Sequence, residues 1–416
     1  MRVFLQTFGC RANHYDSEMA RAMLESSGHV IVADAAEADV ALFNSCAVTR
    51  EAEADLRAAV RRAARTQPAI RSVIMGCAAG LAVQRGDASL AALPGVEEVV
   101  PGADAAALAR ALDLRNDSLL ARAAWQTSAR ALLRVQDGCD EHCTFCATTL
   151  ARGANRSRSG DALVEEARQL GTHHEEIVIT GIHIGSYGAD IESSLGALVE
   201  RLVRDVPRVR FRLSSLEATE IDERLFELLV GEPGRVAPHL HAPLQSGSNA
   251  VLKRMGRHWY TAESYAQVVE RLAAARPVFG LGADIIVGFP GETDLDHERT
   301  VALVERLPFT YLHVFPFSAR PGTAAERLGQ GVPPAVARAR ARELRELGMR
   351  KAAAYPASRA GSMADVIVVR GGAADEREGV TEDYLSVLPG AASLPRGTRY
   401  LARLRSDGSR LIADRA

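Results

Sequence analysis

The chain has 416 residues, of which 47% are hydrophobic and 25% are charged, and its formal net charge is −2. This length exceeds what one hydrophobic core supports, so we expect two or three domains, and the composition excludes disordered and fibrous proteins. No run approaches the roughly 18 consecutive apolar residues of a membrane span, and the first residues lack a cationic, apolar leader, so we expect a cytoplasmic protein with no membrane partner.

The first hundred or so residues alternate between strand-like and helix-like runs, the first predicted helix being Ser17 to Ser26, and this alternation predicts a parallel α/β sheet. Three predicted strands, VFLQTF, VALFNS and SVIMG, lead directly into Cys10, Cys46 and Cys77. Because the carboxyl ends of parallel strands meet at one edge of a sheet, we expect these thiols to lie together. Cytoplasmic thiols more often bind metal than pair as disulfides, and three buried core cysteines are the alternative.

After a predicted linker at 113–129, six strand-like runs alternate with runs that carry apolar residues at helical spacing. Six parallel strands are too few for a closed eight-stranded barrel, so we expect a partial barrel with its site at the carboxyl ends of the strands. A predicted helix from Pro334 to Arg350 follows, and then short strands typical of a small β-barrel. The six runs are LLRVQDG, EIVITGIH, RVRFRLSS, PHLHAPLQS, LGADIIVGF and YLHVFPF.

The densest cysteine motif is Cys139-x3-Cys143-x2-Cys146, directly after the first barrel strand. Three closely spaced thiolates can hold three irons of a four-iron cluster and leave the fourth iron open for a non-protein ligand. A structural zinc site is the alternative, but zinc prefers four closed ligands, and His142 would be squeezed between adjacent ligands. The spacing therefore favours an iron-sulfur cluster at the mouth of the barrel.

Polar or glycine-bearing loops follow the other barrel strands. Glycines in these loops would let the backbone approach an adenine and a ribose, while carboxylate, hydroxyl and amide groups would fix their polar edges. The residues that we predict to bind this nucleoside are Thr180, Gly181, Ser215, Glu217, Gln245, Ser246, Gly288 and Glu292.

Two further groups of residues allow more than one interpretation. His239 and His241 alternate on one strand, and we expect them to be interior barrel residues rather than metal ligands. Arg152, Arg156 and Arg158 follow the cysteine motif, and they either contact phosphate or substrate or belong to a solvated charged loop.

The chain resembles the radical S-adenosylmethionine methylthiotransferases over nearly its whole length. The resemblance is carried by TFGCRANHYDSE, FNSCAVT, MGCAAG, QDGCDEHCTFC, ITGIHIGSYG, RLSSLEATEI, HLHAPLQSGSNAVLKRMGR, GADIIVGFPGET and FPFSARPGT, which follow the order of the family. CAVT, the QDGC lead-in, TGIHIGSYG and RSRS are most similar to the bacterial branch that acts on N6-threonylcarbamoyladenosine in tRNA.

This resemblance implies three domains: a Rossmann-like methylthiotransferase domain at 1–115, a partial (β/α)6 radical barrel at 128–357, and an OB-like TRAM module at 358–416. It implies that Cys139, Cys143 and Cys146 bind a 4Fe-4S cluster whose open iron chelates S-adenosylmethionine. Cys10, Cys46 and Cys77 would bind an auxiliary 4Fe-4S cluster that supplies or relays sulfur. The last module would bind RNA, with Arg399, Arg403 and Arg405 as candidate contacts.

The implied reaction begins with one-electron cleavage of S-adenosylmethionine to a 5′-deoxyadenosyl radical. A methylthio group then replaces the C2 hydrogen of the adenine at position 37 of tRNA, and a second S-adenosylmethionine donates the methyl group. A sulfur donor and a one-electron reductant of unknown identity are further expected partners. The sequence indicates no general base, and we assign no catalytic residue.

Two other interpretations compete. The same chemistry acts on isopentenyladenosine in tRNA or on an aspartate of a ribosomal protein in other branches of the family. A non-catalytic nucleic-acid-binding protein with two structural metal sites is the alternative from another class. That alternative requires closed sites of four ligands, whereas each predicted site offers three cysteines.

Overall fold

The computed structural model describes residues 1–47, 50–114, 124–329, 331–372, 376–390 and 394–416. It divides into two compact units. Residue 115, which is the predicted end of the first domain, and most of the predicted linker lie outside the described residues. Unit 1 comprises Met1–Thr127, Gln136–Glu141 and Cys146–Arg156, and unit 2 comprises Ser128–Val135, His142–Phe145 and Ser157–Ala416.

Unit 1 is built on a five-stranded sheet in the order β2-β1-β3-β4-β5, and every neighbouring pair is parallel. The predicted parallel α/β sheet is therefore confirmed. The two strands that the sequence analysis missed, the second and the fifth, are the short edge strands. The strands are β1 (Arg2–Thr7), β2 (Val30–Val32), β3 (Val40–Ser45), β4 (Arg71–Gly76) and β5 (Val96–Val99).

Helices cover both faces of this sheet, because successive strand residues point to opposite sides. Leu42 packs in one apolar cluster with Leu24, while its neighbour Phe43 packs in another with Leu56. The result is a three-layer α/β arrangement with two cores. The helices of unit 1 are α1 (Arg11–Ser26), α2 (Arg50–Thr66), α3 (Cys77–Arg85), α4 (Ala105–Ala111) and α5 (Thr148–Arg152).

Unit 2 contains the predicted barrel strands. Three of them pair in the order β10-β9-β6 and three in the order β11-β12-β13, and parallel bridges join Phe211 to Val236 and Ser215 to His241. All six predicted strands are present and parallel, as a partial barrel requires. The strands of unit 2 are β6 (Ala131–Arg134), β9 (Glu176–Thr180), β10 (Arg210–Leu213), β11 (His239–His241), β12 (Gly280–Val287) and β13 (Tyr311–Pro316). The two-residue β7 (Gln136–Asp137) belongs to unit 1, and β8 (Arg156–Ser157) begins in unit 1 and ends in unit 2.

The helices of unit 2 bury their apolar faces against one face of these strands, in a single cluster that includes Ile177, Phe211 and Leu240. Thr261 and Thr293 each form a capping box at the start of a helix. The helices are α6 (Gly160–Leu170), α7 (Leu195–Asp205), α8 (Glu223–Gly231), α9 (Asn249–Arg254), α10 (Ala262–Ala275), α11 (Asp294–Arg306) and α12 (Pro334–Arg359). Among the described residues, no helix is long and apolar enough to cross a membrane.

The opposite face of the barrel strands carries polar side chains. Glu176, Arg210 and Arg212 are fully buried there and form ion pairs of 2.5 and 2.8 Å. His239 and His241 are also buried on this face, as the sequence analysis expected. The interior of the barrel is therefore polar, whereas its outer side is apolar.

The C-terminal strands close into a barrel in the order β14-β15-β16-β18-β17, with its own apolar core. This confirms the predicted small β-barrel. It lies in unit 2 and contacts the polar interior: Arg212 donates to the carbonyl oxygens of Thr381 and Glu382, both at 3.0 Å. The strands are β14 (Met363–Arg370), β15 (Glu378–Val380), β16 (Ser386–Pro389), β17 (Arg399–Ser406) and β18 (Leu411–Arg415).

Candidate functional site

The first cysteine site lies in unit 1, where the loops after β1, β3 and β4 meet. Gly9 has a φ of 97°, and a Cβ atom at this position would lie 2.6 Å from the Cβ and Sγ atoms of Cys46. Only glycine therefore lets the loop that carries Cys10 pack against Cys46. Cys77 is the first residue of α3, directly after β4.

Asn13, on the first turn of α1, connects all three cysteine loops. Its Oδ1 atom lies 4.0 Å from the Sγ atom of Cys10 and 3.7 Å from that of Cys77. Its Nδ2 atom donates to the carbonyl oxygens of Phe8 and Ser45, both at 2.8 Å. The predicted convergence of the three strand ends is thus present, and one buried amide holds them together.

Arg152 places a positive charge against this site. Its Nε atom lies 3.2 Å from the Sγ atom of Cys77, and its other nitrogens contact Asn13 at 2.6 Å and Asp16 at 2.7 Å. The side chain is only 2% exposed. The interpretation of Arg152 as a solvated loop residue is therefore wrong, because Arg152 is enclosed within unit 1 by its carboxylate partner and a thiol. A contact of Arg152 with phosphate or substrate stays a prediction.

The chemistry of this donor set fits an iron-sulfur cluster. Burial raises the pKa of the Cys77 thiol to about 11, the nearby Cys10 and Cys46 add to the increase, and Arg152 opposes it. A metal-bound cysteine must be a thiolate, so a bound cation and Arg152 would together stabilise the charged form. The chain offers three soft ligands here and a cation that partly neutralises them.

The second cysteine motif is divided between the units, with Cys139 and Cys146 in unit 1 and Cys143 in unit 2. Within unit 1, the backbone N–H of Cys139 donates to the carbonyl oxygen of Gly153 at 3.0 Å. The N–H of Thr148, at the start of α5, donates to the Sγ atom of Cys146 at 3.3 Å. Such a donor stabilises a thiolate, which is the form that binds iron.

Within unit 2, the segment around Cys143 is supported by the run Met255-Gly256-Arg257. Thr144 donates its N–H to the carbonyl oxygen of Met255 at 2.8 Å. The next residue, Gly256, adopts a φ of 77°. The Nη1 atom of Arg257 lies 3.4 Å from the Sγ atom of Cys143. As in the first site, a guanidinium thus faces a predicted ligand.

Arg257 also contacts one of the predicted nucleoside-binding residues. Its guanidinium pairs with the carboxylate of Glu217, which accepts a second hydrogen bond from the indole N–H of Trp259. Burial raises the pKa of Glu217, and Arg257 opposes the increase. Cys143 and Glu217 are therefore linked through one buried arginine.

The other predicted nucleoside-binding residues lie at the strand ends of unit 2, where the sequence placed them. Thr180 ends β9, and Gln245, which adopts a φ of 62°, forms a parallel bridge with Ile285 of β12. Ser246 is 1% exposed and accepts from the N–H of Ser248 at 3.2 Å. A contact of these residues with S-adenosylmethionine stays a prediction, as it does for Gly181 and Ser215.

Glu292 supports its own loop. Its Oε2 atom accepts from the N–H of Gly288 at 2.6 Å and pairs with Arg340 at 2.7 Å. The side chain is 1% exposed, and Gly288 has a φ of 73°. In this geometry Glu292 fixes the shape of the loop that Gly288 begins.

The remaining predicted RNA contacts differ in exposure. Arg156 is 60% exposed, and Arg403 and Arg405 are exposed on β17. Arg158 pairs with Glu166 at 2.6 Å, and Arg399 pairs with Asp365 on β14. Arg156, Arg403 and Arg405 are therefore the more accessible of these arginines.

Sequence reasoning missed Asn13, Asp16, Arg257 and Trp259. Asn13 and Asp16 lie three and six residues after Cys10, on a helix that begins directly after this cysteine. The available signal was two polar residues three positions apart, which would share one face of a helix, directly after a cysteine. Arg257 and Trp259 stand in a run that carries no spacing related to the cysteine motif.

Two family models match the chain. The first is described as an uncharacterized protein family, UPF0004, and matches residues 2–100. The second is the radical SAM superfamily and matches residues 133–304. The first match covers the sheet of unit 1 with Cys10, Cys46 and Cys77, and the second covers the Cys139 motif and the strands β6 to β12.

Curated relatives match both parts together. The chain is 36% identical to the threonylcarbamoyladenosine tRNA methylthiotransferase MtaB of Thermotoga maritima, across 80% of this chain and 78% of the relative. It is 34% identical to the tRNA-2-methylthio-N(6)-dimethylallyladenosine synthase of Anaeromyxobacter dehalogenans, across 99% of this chain and 93% of the relative. Among solved structures, the radical S-adenosylmethionine methyltransferase TsrM of Kitasatospora setae shares the fold, with a TM-score of 0.56 at 16% identity over 78% of this chain and 76% of that one.

Proposed function

Because the chain belongs to the radical S-adenosylmethionine methylthiotransferases, we propose that it modifies tRNA by placing a methylthio group at C2 of N6-threonylcarbamoyladenosine at position 37. The observation that carries the proposal is the first cysteine site, formed by Cys10, Cys46 and Cys77 around Asn13, which is additional to the Cys139 motif. A radical enzyme that only generates a substrate radical needs one cluster, whereas sulfur insertion calls for a second one. The similarity to the Thermotoga maritima enzyme supports the choice of nucleoside.

Each cysteine set would hold one 4Fe-4S cluster. Cys139, Cys143 and Cys146 would leave one iron open for the amino and carboxylate groups of S-adenosylmethionine. When bound, one cluster would pass on the electron that cleaves S-adenosylmethionine, and the auxiliary cluster would supply or relay the sulfur for the transfer. At both sites, three cysteines would bind three of the four irons of a cluster.

The protein's own side chains position and neutralise these ligands. Arg152 and Arg257 each place a buried guanidinium within 3.4 Å of a cysteine sulfur, so a positive charge lies beside a predicted ligand at both sites. Asn13 fixes the spacing of the first site, and Glu217 orients Arg257 at the second. Phe145, two residues after Cys143, packs edge-on against the buried Phe289 and so anchors this loop to the apolar core of unit 2.

Recognition of tRNA would involve the exposed arginines of the C-terminal barrel. Arg403 and Arg405 alternate with buried residues on β17, so both project from the same face, together with Leu401, which is 60% exposed. A cationic and apolar strand face suits the phosphates and bases of single-stranded RNA. Sulfur donor and electron donor are expected partners of unknown identity.

The first test is a count of iron. The protein is purified without oxygen, reconstituted with iron and sulfide, and compared with the C139A/C143A/C146A and C10A/C46A/C77A variants. The expected content is about eight irons for the wild type and about four for each triple variant. Zinc in place of iron, or a triple variant with the wild-type iron content, would exclude two independent clusters.

The second test identifies the nucleoside. The reconstituted enzyme is incubated with S-adenosylmethionine, a reductant and tRNA that carries either threonylcarbamoyladenosine or isopentenyladenosine, and digested nucleosides are analysed by mass spectrometry. A methylthio product only from the threonylcarbamoylated tRNA is the expected result. A product only from isopentenyladenosine would favour the second candidate, which the Anaeromyxobacter dehalogenans relative supports.

A further inference from the structure

Three potential metal ligands lie side by side on the polar face of the barrel strands. His241 is on β11, Asp284 on β12 and His313 on β13, and the Cα atoms of Asp284 and His313 are direct partners in the parallel pairing. The Nε2 atom of His241 lies 3.0 Å from the Oδ1 atom of Asp284, and the Nδ1 atom of His313 lies 3.1 Å from it. All three ligand atoms are within 4.8 Å of one another.

The charge balance of this group differs from that of the neighbouring Glu176. Glu176 is neutralised by Arg210 and Arg212. Among the described residues, the ion pairs of Asp284 are with His241 and His313 alone, and its side chain is 27% exposed. Both partners of Asp284 are imidazoles, which are themselves common metal ligands.

One imidazole is held in the orientation that a metal ligand needs. The hydroxyl group of Tyr311 lies 3.1 Å from the Nδ1 atom of His241 and 2.8 Å from the Nε2 atom of His239. This contact occupies one ring nitrogen of His241 and leaves the other directed at Asp284. Metal-bound histidines are oriented in this way by a hydrogen bond at the second nitrogen.

We propose that His241, Asp284 and His313 bind one divalent first-row metal ion, such as Zn²⁺, Fe²⁺ or Mn²⁺, separately from the two thiol sites. Ligand bonds of about 2.1 Å place ligand atoms roughly 3.0 to 3.5 Å apart, which the two distances to Asp284 match. Two imidazoles and one carboxylate leave coordination positions open for water or for an oxygen of a bound molecule. His313 is 55% exposed, so an ion can reach the site.

The test uses Mn²⁺ as the probe, because its preference for nitrogen and oxygen ligands keeps it away from thiolates. Oxidised 4Fe-4S clusters are diamagnetic, so electron paramagnetic resonance of the anaerobically reconstituted enzyme reports free Mn²⁺ directly. We expect about one Mn²⁺ to bind per chain, and added Zn²⁺ to release it because Zn²⁺ binds such ligands more tightly.

Asp284→Asn and His313→Gln are the test variants, and the exposed His173→Gln is the matched control. Each test variant is expected to weaken Mn²⁺ binding at least tenfold, whereas the control binds as the wild type does. His313 is exposed on its strand, so this variant serves even if Asp284→Asn does not fold. Absence of saturable binding to the wild type, or unchanged binding in both test variants, would overturn the proposal. Iron content and tRNA activity are separate readouts, so these results stand apart from the proposed function.

Discussion

At the scale of single residues, Arg152 and Arg257 make equivalent contacts at the two cysteine sites. Each is a buried guanidinium within hydrogen-bonding distance of one cysteine sulfur, and each is held by a carboxylate, Asp16 in one case and Glu217 in the other. A cluster bound by three thiolates carries negative charge, and a neighbouring cation reduces the cost of assembling it. The chain itself thus provides a compensating positive charge at each of the two sites.

Replacing Arg152 with methionine should weaken the first cluster selectively. The variant keeps much of the side-chain volume but removes the charge beside Cys77, so the affinity for the cluster should fall about 10- to 100-fold. Iron per chain, measured after gel filtration with a chelator, is expected to fall from about eight towards four. Arg156→Met, which changes an exposed arginine four residues away, should keep the full iron content. An R152M protein that retains all its iron would show that the guanidinium is dispensable for the cluster.

The grouping of the six cysteines into two sites was predictable from their positions in the sequence. The residues that contact their sulfur atoms were not. Cys10, Cys46 and Cys77 each end a strand, and the sheet topology brings strand ends together. Arg152 reaches Cys77 across 75 residues of sequence. No periodicity connects residues that far apart, so this contact could be found only in the folded chain.

At the scale of the elements, errors in the prediction have identifiable causes. The helix predicted from Ser17 begins at Arg11, because its first turns bury Asn13 and Asp16 around the cysteine site instead of apolar residues. The edge strand β5 was missed because Glu97 and Glu98 are exposed on it and no apolar run marks it. The last long helix continues past its predicted end at Arg350 and includes Pro356, which a helix tolerates at the loss of one hydrogen bond.

The ion pairs between β9 and β10 should be essential for the stability of unit 2. Glu176→Gln leaves the fully buried Arg212 without a carboxylate and Arg210 with Asp365 alone, which should lower the free energy of unfolding by about 3–5 kcal/mol at pH 7. Urea unfolding followed by circular dichroism measures this change. Glu165→Gln, on the exposed face of α6, is the control and should change the free energy by less than about 0.5 kcal/mol.

The same variant should show a characteristic dependence on pH. Burial alone would raise the pKa of Glu176, but Arg210 and Arg212 outweigh it and hold the pKa below its ordinary value of 4.5. The carboxylate therefore stabilises the wild type fully above that value and loses its contribution as the pH falls through the lower, folded-state pKa. The difference in stability between wild type and E176Q should narrow in acid, and a constant difference would contradict this account.

At the scale of the whole molecule, the C-terminal barrel is joined to the interior of unit 2 by buried charges. Arg359, in the last turn of α12, pairs with Glu382 at 2.9 Å and with Asp383 at 2.8 Å. A Cβ atom on Gly280 would lie 2.0 Å from the carbonyl oxygen of Asp383, so β12 and this segment are in close contact. The small barrel is therefore held against the radical barrel, and β17 carries Arg403 and Arg405 on its solvent-exposed face.

Arg403 and Arg405 should contribute to the affinity for tRNA through phosphate contacts. The R403Q/R405Q variant is expected to reduce the slope of log affinity against log salt by about two, in proportion to the contacts that are lost. Filter binding of tRNA at several salt concentrations measures the slope. Arg168→Gln, an exposed arginine on α6, is the control and should leave the slope unchanged. Equal slopes for wild type and double variant would place the RNA elsewhere.

The attachment of Thr381 and Glu382 to Arg212 also has a consequence for synthesis on the ribosome. The strands of the radical barrel leave the ribosome well before residue 381. Until Thr381 and Glu382 have also been made, Arg212 lacks two of its hydrogen-bond acceptors. The radical barrel of the nascent chain therefore stays incompletely hydrogen-bonded until residues 381 and 382 have been made. A product truncated before residue 381 would keep a buried, partly unsatisfied guanidinium, which favours opening and degradation by cellular proteases. The persistence of the radical-generating part of the protein thus depends on the segment that carries Thr381 and Glu382.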